Sequence, residues 1–418
     1  MRRVELVIER LSKSGDGVAR EGGRSVFVPR ALPGERIVAE LDDGKKTLRA
    51  ELKEVLTPSP ARRTPLCPLA DRCGGCDWMH VEESTQVLEK ERIVVSALEH
   101  LGGLSPDRYR CRPTVRSTAA VGYRRRCTLH PAQGGLGFFG QKSHDRVRVD
   151  HCPALTAPLA GMPGALALIL GAMLKDVEEV RLLECEGRVA VSVHLKAAWK
   201  PRHVEVLTSL VREGRVDGVV LLPGEGKGAV VVLGDPVLEE GGVRYRPDGF
   251  AQANADVNRQ LVREAVDLLD LTQRPTVLEL YAGNGNFTFE ILAQASSVVA
   301  VESAAISVRL AQEAARARRL EGLRLVQGDC ERIAEGLVRE GARFDRLLLD
   351  PPRTGAPGVG RWASRLLVSR LVYVACDPAA LARDAAALVQ EGFAPLVLEL
   401  FDVFPQTRHI EAVMAFGR

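Results

Sequence analysis

Cys376 is the residue with the most distinctive chemistry, because it closes the apolar run 372–375 and precedes Asp377 and Pro378. A thiolate that adds to carbon 6 of a uracil ring makes carbon 5 nucleophilic enough to attack a methyl sulfonium. Pro378 opens a predicted helix, and the N–H groups at a helix start lower the pKa of a nearby thiol. The alternative interpretation is a buried structural cysteine.

Such a reaction also needs a base, since a proton has to leave carbon 5 after it has been substituted. Glu411 lies in the run 409–413 (HIEAV), which predicts a late strand packed beside Cys376. His409 alternates onto the same face, so the spacing alone leaves either residue as the base. A carboxylate on a terminal strand is otherwise a surface residue.

A glycine-rich turn predicts a cofactor site. Gly283 and Gly285 follow the strand-like run 277–281, and glycine lets a backbone approach a ligand closely. Glu302 closes the next apolar run, where an acid can accept hydrogen bonds from both hydroxyls of a ribose. The turn lacks a dinucleotide-binding pattern, so S-adenosylmethionine, a nucleoside without a pyrophosphate, suits it.

Alternation of apolar runs and helical segments after residue 250 predicts an α/β domain with a doubly wound parallel sheet. Ligands of such sheets bind at the carboxyl ends of the strands. The polar segment 248–254, which includes Gln252, would cover the cofactor from a preceding helix. The residues at the ends of the runs should line one crevice: Tyr281, Glu302, Asp329, Asp350 and Cys376.

Three cysteines within ten residues predict a metal site. Cys67, Cys73 and Cys76 are separated by turn-forming residues, and Cys152, in a second Cys-Pro pair, would complete a tetrathiolate. Four thiolates hold either an iron–sulfur cluster or zinc, and the C-x5-C-x2-C spacing fits the paired ligands of a zinc finger poorly. The cysteines at 111, 127, 185 and 330 are interpreted as structural or incidental.

The rest of the chain must position these groups, and its 418 residues favour two to three domains. Residues 1–57 contain short strand-like runs between glycine-rich turns, which predicts a small five-stranded β-barrel of the oligonucleotide-binding type. Residues 58–245 mix strands and helices, with a helix candidate at 82–101. Residues 246–418 form the α/β domain.

Charge is concentrated rather than spread. The net charge is +3, yet the stretch 110–148 contains nine Lys or Arg residues and one acid. Such a stretch can hold phosphates, with Tyr123 as a stacking aromatic; the alternatives are a solvated face and a buried Tyr123. Nine cysteines without a signal peptide indicate the reducing cytoplasm. We expect a monomer with no membrane partner.

With these motifs the sequence resembles the bacterial uridine-5 RNA methyltransferases, specifically the ribosomal-RNA branch with an iron–sulfur cluster. The stretches 15–20, 26–29 and 31–35 look like its TRAM domain, an RNA-binding barrel. The resemblance implies a Rossmann-like class I methyltransferase domain at 246–418 and a central α+β iron–sulfur domain. It implies methylation of carbon 5 of a uridine, expected in 23S ribosomal RNA, and a helix at 80–110 that packs on the catalytic domain.

The resemblance also implies roles for individual residues. Cys376 matches the nucleophile and Glu411 the proton-abstracting base, which favours Glu411 over His409. The matched cofactor contacts are Gln252, Tyr281, Asn286, Glu302, Asp329 and Asp350, with Gly283 in the same turn. The matched ligands of a 4Fe-4S cluster are Cys67, Cys73, Cys76 and Cys152.

Three positions depart from the family's usual pattern. Asp377 replaces an asparagine after the nucleophile and would raise the pKa of Cys376 unless it points away. Ala282 replaces a commoner cysteine, and Asn284 is unusual in this turn.

Three other functions compete with this one. The nearest is the same reaction on the T-loop of transfer RNA, although that branch typically lacks the TRAM domain and the cluster cysteines. A radical enzyme would show C-x3-C-x2-C, which the C-x5-C-x2-C spacing does not match. A non-catalytic RNA-binding assembly factor would not need an intact Cys376 and Glu411.

Overall fold

The computed structural model describes residues 2–42, 44, 47–141 and 143–418. Lys142, counted above in the basic stretch, lies outside the described residues. None of the helices in these ranges has the length and hydrophobicity that a membrane-spanning segment requires. The chain divides into two compact units, the first made of Met1–Ile93, Phe138–Val147 and Phe404–His409 and the second of Val94–Gly137, Arg148–Val403 and Ile410–Arg418.

An N-terminal sheet forms much of the first unit. Its described residues make six strands rather than the five predicted, in the order β1-β5-β6-β4-β3-β2. In the fifth strand Ile37, Ala39 and Leu41 are buried and the residues between them are more exposed, a period of two that places one face on a core. The strands are β1 (Arg2–Val7), β2 (Arg10–Leu11), β3 (Gly17–Glu21), β4 (Arg24–Val28), β5 (Arg36–Asp42) and β6 (Leu48–Thr57).

Helix α1 (Glu83–His100) and the short strand β7 (Arg110–Cys111) come next. Val94 and Leu98 of α1 are buried in the main core of the second unit, together with Leu104 and Tyr109 that follow the helix. Apolar residues four apart lie on one face of a helix, which explains the shared burial of this pair. The C-terminal part of α1 therefore belongs structurally to the second unit.

The middle of the chain folds as a seven-stranded sheet with the order β10-β9-β8-β11-β12-β13-β14 over its described residues. Leu166 and Leu170 of the apolar helix Met162–Leu170 are buried. A separate two-stranded sheet, β15-β16, follows. The elements are β8 (Arg126–Ala132), β9 (Gly135–Phe139), β10 (Arg146–Arg148), α2 (Ala157–Ala160), α3 (Met162–Leu170), β11 (Val177–Cys185), β12 (Arg188–Leu195), α4 (Pro201–Arg212), β13 (Gly218–Leu222), β14 (Val231–Gly234), β15 (Leu238–Glu240) and β16 (Val243–Tyr245).

The C-terminal part alternates strands and helices, as its apolar runs predict. Every run expected to form a strand does so, and each polar residue named at a run's end lies at or just after the end of a strand. The elements are α5 (Ala255–Leu269), β17 (Thr276–Leu280), α6 (Thr288–Leu292), β18 (Ser297–Glu302), α7 (Ala305–Ala317), β19 (Leu323–Gln327), α8 (Cys330–Arg339), β20 (Arg346–Leu349), α9 (Val359–Arg365), β21 (Arg370–Ala375), α10 (Pro378–Gln390), β22 (Ala394–Phe401) and β23 (Glu411–Gly417).

This sheet is mixed rather than wholly parallel, with the order β19-β18-β17-β20-β21-β23-β22-β7. Strands β17 to β21 pair in parallel, whereas β23 runs antiparallel to both β21 and β22. No helix crosses over between β22 and β23, and strands joined without a crossover pair antiparallel. The reversal brings the start of β23 beside the end of β21.

Candidate active site

Cys376 and Glu411 are brought together by this antiparallel pairing. Ala375, the last residue of β21, pairs with Ala412, so Cys376 and Glu411 are the next residues along on the two strands. Glu411 is only 6% exposed and Cys376 is half-buried. Burial, followed by the charges of Glu411 and Asp350, raises the pKa of the Cys376 thiol to about 12.

Asp350 and Arg353 complete a group of four charged or ionisable side chains. Asp350 directly follows β20, and burial raises the pKa of its carboxyl group to about 7. Burial and the charge of Asp350 raise the pKa of Glu411 well above its usual value. The positive charge of Arg353 opposes the rise for both Glu411 and Cys376. The site therefore holds protons near neutral pH that a reaction can move.

Burial and the neighbouring carboxylates raise the pKa of the Cys376 thiol more than its backbone hydrogen bond lowers it, so the net lowering expected from the sequence is not found. Asp377 caps α10, and its Oδ1 accepts a hydrogen bond of 2.8 Å from the N–H of Ala380. One of the free N–H groups at the helix start is thus already used, and desolvation outweighs the dipole. The groups that raise the pKa of Cys376 are Glu411 and Asp350 after burial, not Asp377.

The glycine-rich turn follows β17 with left-handed backbone at Tyr281 (φ 64°), Gly283 (φ 57°) and Gly285 (φ 95°). A Cβ on Gly285 would lie 2.8 Å from the ring of Phe289, so that glycine is required by packing. A Cβ on Gly283 would meet no atom within 4 Å. The backbone at Gly283 is therefore open to a ligand.

Glu302 supports the turn directly. Its Oε2 accepts a hydrogen bond of 2.9 Å from the N–H of Gly283, and its Oε1 accepts one of 2.7 Å from the N–H of Ala304. The hydroxyl of Ser303 donates a further hydrogen bond of 3.1 Å to Oε1. Each carboxylate oxygen offers about two lone-pair positions, so Oε2 is the oxygen that can still accept from a ribose hydroxyl. Glu302 fits the predicted ribose contact and also holds the turn in shape.

The other predicted cofactor contacts have local partners. Asn286 and Asn258 of α5 exchange two side-chain hydrogen bonds of 2.9 and 3.1 Å. Asp329 caps α8, and its Oδ1 accepts a hydrogen bond of 2.9 Å from the N–H of Arg332. Gln252 is half-buried. Cys330, interpreted above as incidental, accepts a hydrogen bond of 3.3 Å from the N–H of Tyr281 and so supports the turn.

Glu279 is a site residue that the sequence argument missed. It lies within β17, is 0% exposed, and burial raises the pKa of its carboxyl group to about 8 despite the nearby Thr288 hydroxyl. Neither carboxylate oxygen accepts a hydrogen bond within 3.5 Å among the described residues. Asp350 and Glu302 lie near enough to raise this pKa further. A cationic ligand bound nearby, such as S-adenosylmethionine, would favour the ionised forms of these carboxyl groups. The only sequence signal was one acid inside an apolar run.

Tyr123, the predicted stacking aromatic, is buried, whereas the ring of Phe250 is exposed. Tyr123 is 7% exposed and belongs to the core, whereas Phe250 is 57% exposed. The guanidinium carbon of Arg126 lies 5.0 Å from the centre of the Phe250 ring, and its Nη1 donates a hydrogen bond of 3.0 Å to the carbonyl of Ala251. A flat, cation-backed ring of this kind can stack on a base.

Arg112 and Arg125 of the basic stretch 110–148 form ion pairs within the second unit. Arg112 pairs with Glu264 and Glu399 at 2.7 and 3.0 Å. Arg125 is buried and pairs with Glu240. The net positive charge counted along the sequence therefore overstates what this stretch offers to phosphates.

Comparison with known proteins identifies the family. Residues 238–418 match the family model described as tRNA (Uracil-5-)-methyltransferase, and residues 2–53 match the TRAM domain. The chain is 35% identical over 433 residues to a protein of Alkalilimnicola ehrlichii, covering 99% of this chain and 96% of that protein. It is 33% identical over 432 residues to one of Pseudomonas entomophila, covering 99% and 94%. Both are named 23S rRNA (uracil(1939)-C(5))-methyltransferase RlmD.

The chain belongs to the RNA uracil-5-methyltransferase family. The fold agrees, since the crystal structure of Pyrococcus abyssi tRNA (uracil-54, C5)-methyltransferase with S-adenosyl-L-homocysteine superposes with a TM-score of 0.77 at 22% identity. That match covers 99% of this chain and 100% of the archaeal one. A transfer-RNA enzyme thus shares the fold over the whole length, so the overall architecture does not distinguish the two RNA substrates.

Four cysteines of this methyltransferase are predicted to bind a metal cluster. Cys67, Cys73 and Cys76 lie in the first unit and Cys152 in the second. Within the described parts of the chain, no three or more His, Cys, Asp or Glu side chains are arranged to hold a metal ion. Burial raises the pKa of the Cys127 thiol to about 12, and the charge of the nearby Cys152 adds to this rise.

His409, the rival base, belongs to the first unit, whereas Glu411 belongs to the second with Cys376. The ring of His409 packs edge-on against Phe404, with 6.2 Å between the ring centres. Of the two candidates, Glu411 is the one whose charge acts on the Cys376 thiol.

Proposed function

We propose that this family member methylates carbon 5 of a uridine in RNA, with S-adenosylmethionine as methyl donor and 23S ribosomal RNA as substrate. The observation that carries the proposal is the pairing of β21 with β23, which sets Glu411 beside Cys376. A nucleophile and a base at neighbouring positions are what substitution at carbon 5 of uracil requires.

The first step is attack by Cys376. Its sulfur bonds to carbon 6, and the electron pair of the C5–C6 double bond moves towards oxygen 4, leaving carbon 5 nucleophilic. The thiol proton passes to an ionised carboxylate nearby, and Asp350, with a pKa of about 7, suits this role. S-adenosylmethionine, when bound, supplies an electrophilic methyl group on a positively charged sulfur, and carbon 5 takes that group.

The second step is performed by Glu411. In its ionised form it takes the proton from carbon 5, the C5–C6 double bond re-forms, and the bond from carbon 6 to sulfur breaks. The thiolate of Cys376 recovers its proton from Asp350, and Glu411 releases its proton to solvent. One proton leaves per methyl group transferred, which balances the loss of the sulfonium charge.

The cofactor site proposed for this chain is the crevice at the carboxyl ends of β17, β18, β19 and β20. Gly283 leaves its backbone open there, and Oε2 of Glu302, which accepts one hydrogen bond, retains an acceptor position for a ribose hydroxyl. Neither oxygen of the buried Glu279 carboxyl group has a hydrogen-bond partner among the described residues. A cation bound nearby would favour the ionised form of this group. The residues proposed to hold S-adenosylmethionine are Gln252, Tyr281, Gly283, Asn286, Glu302, Asp329 and Asp350.

The RNA is proposed to be bound by the TRAM domain and by the exposed ring of Phe250. The sequence relatives named as 23S ribosomal RNA enzymes favour that substrate over transfer RNA. Labelled methyl transfer to a 23S ribosomal RNA transcript and to a transfer RNA transcript, followed by nucleoside analysis, tests the choice. We expect 5-methyluridine in the ribosomal transcript; 5-methyluridine in the transfer RNA alone would overturn the substrate, and no 5-methyluridine in either would overturn the function.

The finer assignment of a 4Fe-4S cluster to Cys67, Cys73, Cys76 and Cys152 rests on the spacing of the cysteines and on the resemblance to the iron–sulfur branch. Nothing in the reaction steps above uses a cluster. Iron and acid-labile sulfide measured after anaerobic purification test the assignment, with zinc measured in parallel. Four iron and four sulfide per chain, lost in Cys152→Ser, are expected; stoichiometric zinc or no metal would contradict it.

We further propose the division into an RNA-binding domain at 1–57, a central domain at 58–245 and a methyltransferase domain at 246–418. We also propose that the protein acts as a monomer in the cytoplasm.

A further inference from the structure

Asp384 is a buried carboxylate that the reaction described above does not use. It lies on α10, is 8% exposed, and its Oδ2 accepts two hydrogen bonds. The hydroxyl of Tyr373 donates one of 2.5 Å and the N–H of Ala356 donates one of 2.7 Å. Hydrogen bonds to a buried carboxylate are stronger than bonds between neutral groups, so Asp384 joins its two donors firmly.

The two donors belong to the segments that carry the reactive side chains. Tyr373 lies in β21, three residues before Cys376. Ala356 lies in the irregular segment 351–358 between β20 and α9, which also carries Arg353. Through these two hydrogen bonds, Asp384 connects β21, which precedes Cys376, with the segment 351–358, which contains Arg353.

Gly355 shows how closely the segment approaches this carboxylate. Its backbone is left-handed (φ 83°), and a Cβ at this position would lie 2.6 Å from Oδ2 of Asp384. No larger residue fits between the segment and the carboxylate. Within the segment the backbone makes short-range hydrogen bonds, such as the one of 2.8 Å from the N–H of Gly355 to the carbonyl of Pro352. The side chain of Asp384 adds a hydrogen bond from outside the segment.

We propose that Asp384 is a positioning residue that holds the segment 351–358 against β21, so that Arg353 faces Cys376 and Glu411. This inference rests on the proposed function only in taking Cys376 and Glu411 as the reacting groups. Arg353 itself is exposed and acts on both residues through its charge. A long exposed side chain keeps a defined place only if its backbone is fixed.

Tyr373 is a suitable partner for this task. Burial and the charge of Asp384 raise the pKa of its hydroxyl group, so the hydroxyl keeps its proton at neutral pH and donates it to Oδ2 of Asp384.

The test compares Asp384→Ala, Asp384→Asn and Tyr373→Phe in the full-length protein. The matched control is Asp345→Ala, because Asp345 also accepts two hydrogen bonds of 2.8 Å, from the N–H and hydroxyl of Thr276, at the amino ends of the strands. Two rates are measured: adduct formation with 5-fluorouridine RNA, and alkylation of Cys376 by iodoacetamide as a function of pH. Binding of S-adenosylhomocysteine and the melting temperature are measured alongside.

We expect Asp384→Ala to slow adduct formation by about tenfold or more, as misplacement of a site group does, and to move Cys376 alkylation to higher pH. Asp384→Asn should stay within about threefold of the parent, because its amide oxygen can accept both hydrogen bonds. Tyr373→Phe, which removes one donor, should lie between the two. S-adenosylhomocysteine binding should change little in each.

The inference is overturned if Asp384→Ala, or Tyr373→Phe where the alanine variant does not fold, keeps the parent's adduct rate and alkylation profile. It is also overturned if Asp384→Asn is as impaired as Asp384→Ala, or if Asp345→Ala has the same effects. Failure of the proposed function is distinguishable, because the parent protein would then form no adduct while the alkylation profiles of Cys376 would still differ between variants.

Discussion

Glu411 stands beside Cys376 because β23 runs antiparallel to β21 and the pairing of Ala375 with Ala412 ends the ladder at these two residues. Burial raises the pKa of both groups. In such a place a proton moves between neighbours more readily than it leaves for solvent. The arrangement suits a reaction in which one group adds to a ring and the other removes a proton from it.

Replacing the base should trap the reaction at a defined point. In Glu411→Gln, Cys376 still adds to carbon 6 and carbon 5 is still methylated, but the proton on carbon 5 remains. A covalent complex with ordinary uridine RNA should therefore accumulate, visible as a slow-migrating band in denaturing gels. Glu399→Gln, which neutralises a carboxylate of the adjacent strand, is the control and should turn over. A Glu411→Gln protein that releases methylated RNA at the parent's rate would rule out this base.

The charge of the cofactor should control the reactivity of Cys376. A sulfonium near the thiol favours the thiolate, whereas the neutral sulfur of S-adenosylhomocysteine does not. Alkylation of Cys376 at pH 8, followed by peptide mass spectrometry, should be faster with S-adenosylmethionine bound than with S-adenosylhomocysteine bound. The exposed Cys111 serves as the internal control. Equal rates at Cys376 with the two ligands would contradict the electrostatic account.

The carboxyl group of Glu279 should destabilise the folded protein at high pH. Its folded pKa of about 8 lies above the ordinary 4.5, so between these values the folded protein keeps a proton that the unfolded chain releases. Stability then falls as pH rises from 4.5 to 8. Glu279→Gln should be more stable than the parent at pH 8 by about 3–4 kcal/mol and nearly equal at pH 5.

Urea unfolding at the two pH values measures this difference. Glu290→Gln, which changes an exposed acid of α6, should match the parent at both. A Glu279→Gln protein that is no more stable than the parent at pH 8 would show that the carboxyl group finds a partner in solution.

Phe250 should contribute to RNA binding by stacking. Phe250→Ala should weaken RNA binding about tenfold, since stacking of a base on an aromatic ring is worth about 1–3 kcal/mol. Phe250→Tyr should retain the affinity, and Leu168→Ala, at another exposed apolar residue, should not change it. Filter binding at a single salt concentration measures the effect. If Phe250→Ala binds RNA as the parent does, the stacking role is wrong.

The strand ends of the C-terminal domain could be predicted from the sequence because each buried parallel strand is a short apolar run with a polar residue at its end. The left-handed turn at Gly283 was likewise indicated by residue type. The neighbourhood of Cys376 and Glu411 could not be obtained from spacing. It depends on the direction and register of β23, which are set by a connection without a crossover helix.

Most features of the site that could not be predicted from the sequence depend on contacts between residues far apart in the chain. Counting charges in 110–148 could not show that Arg125 is buried against Glu240. Nor could a composition argument tell that Tyr123 packs in the core while Phe250 is exposed. Asp384 lies on an amphipathic helix with no distinctive motif. Its positioning role follows only from the hydrogen bonds that Tyr373 and Ala356 donate to it.

The most direct test of the account is to find which atom of the protein bonds to the RNA. The protein is incubated with 5-fluorouridine RNA and S-adenosylmethionine, since fluorine on carbon 5 cannot leave as a proton does. We predict a stable complex whose digestion yields one peptide with a methylated fluorouridine on Cys376, and no complex in Cys376→Ala. An adduct on another residue, or methylated RNA without any adduct in the parent, would contradict the attack by Cys376.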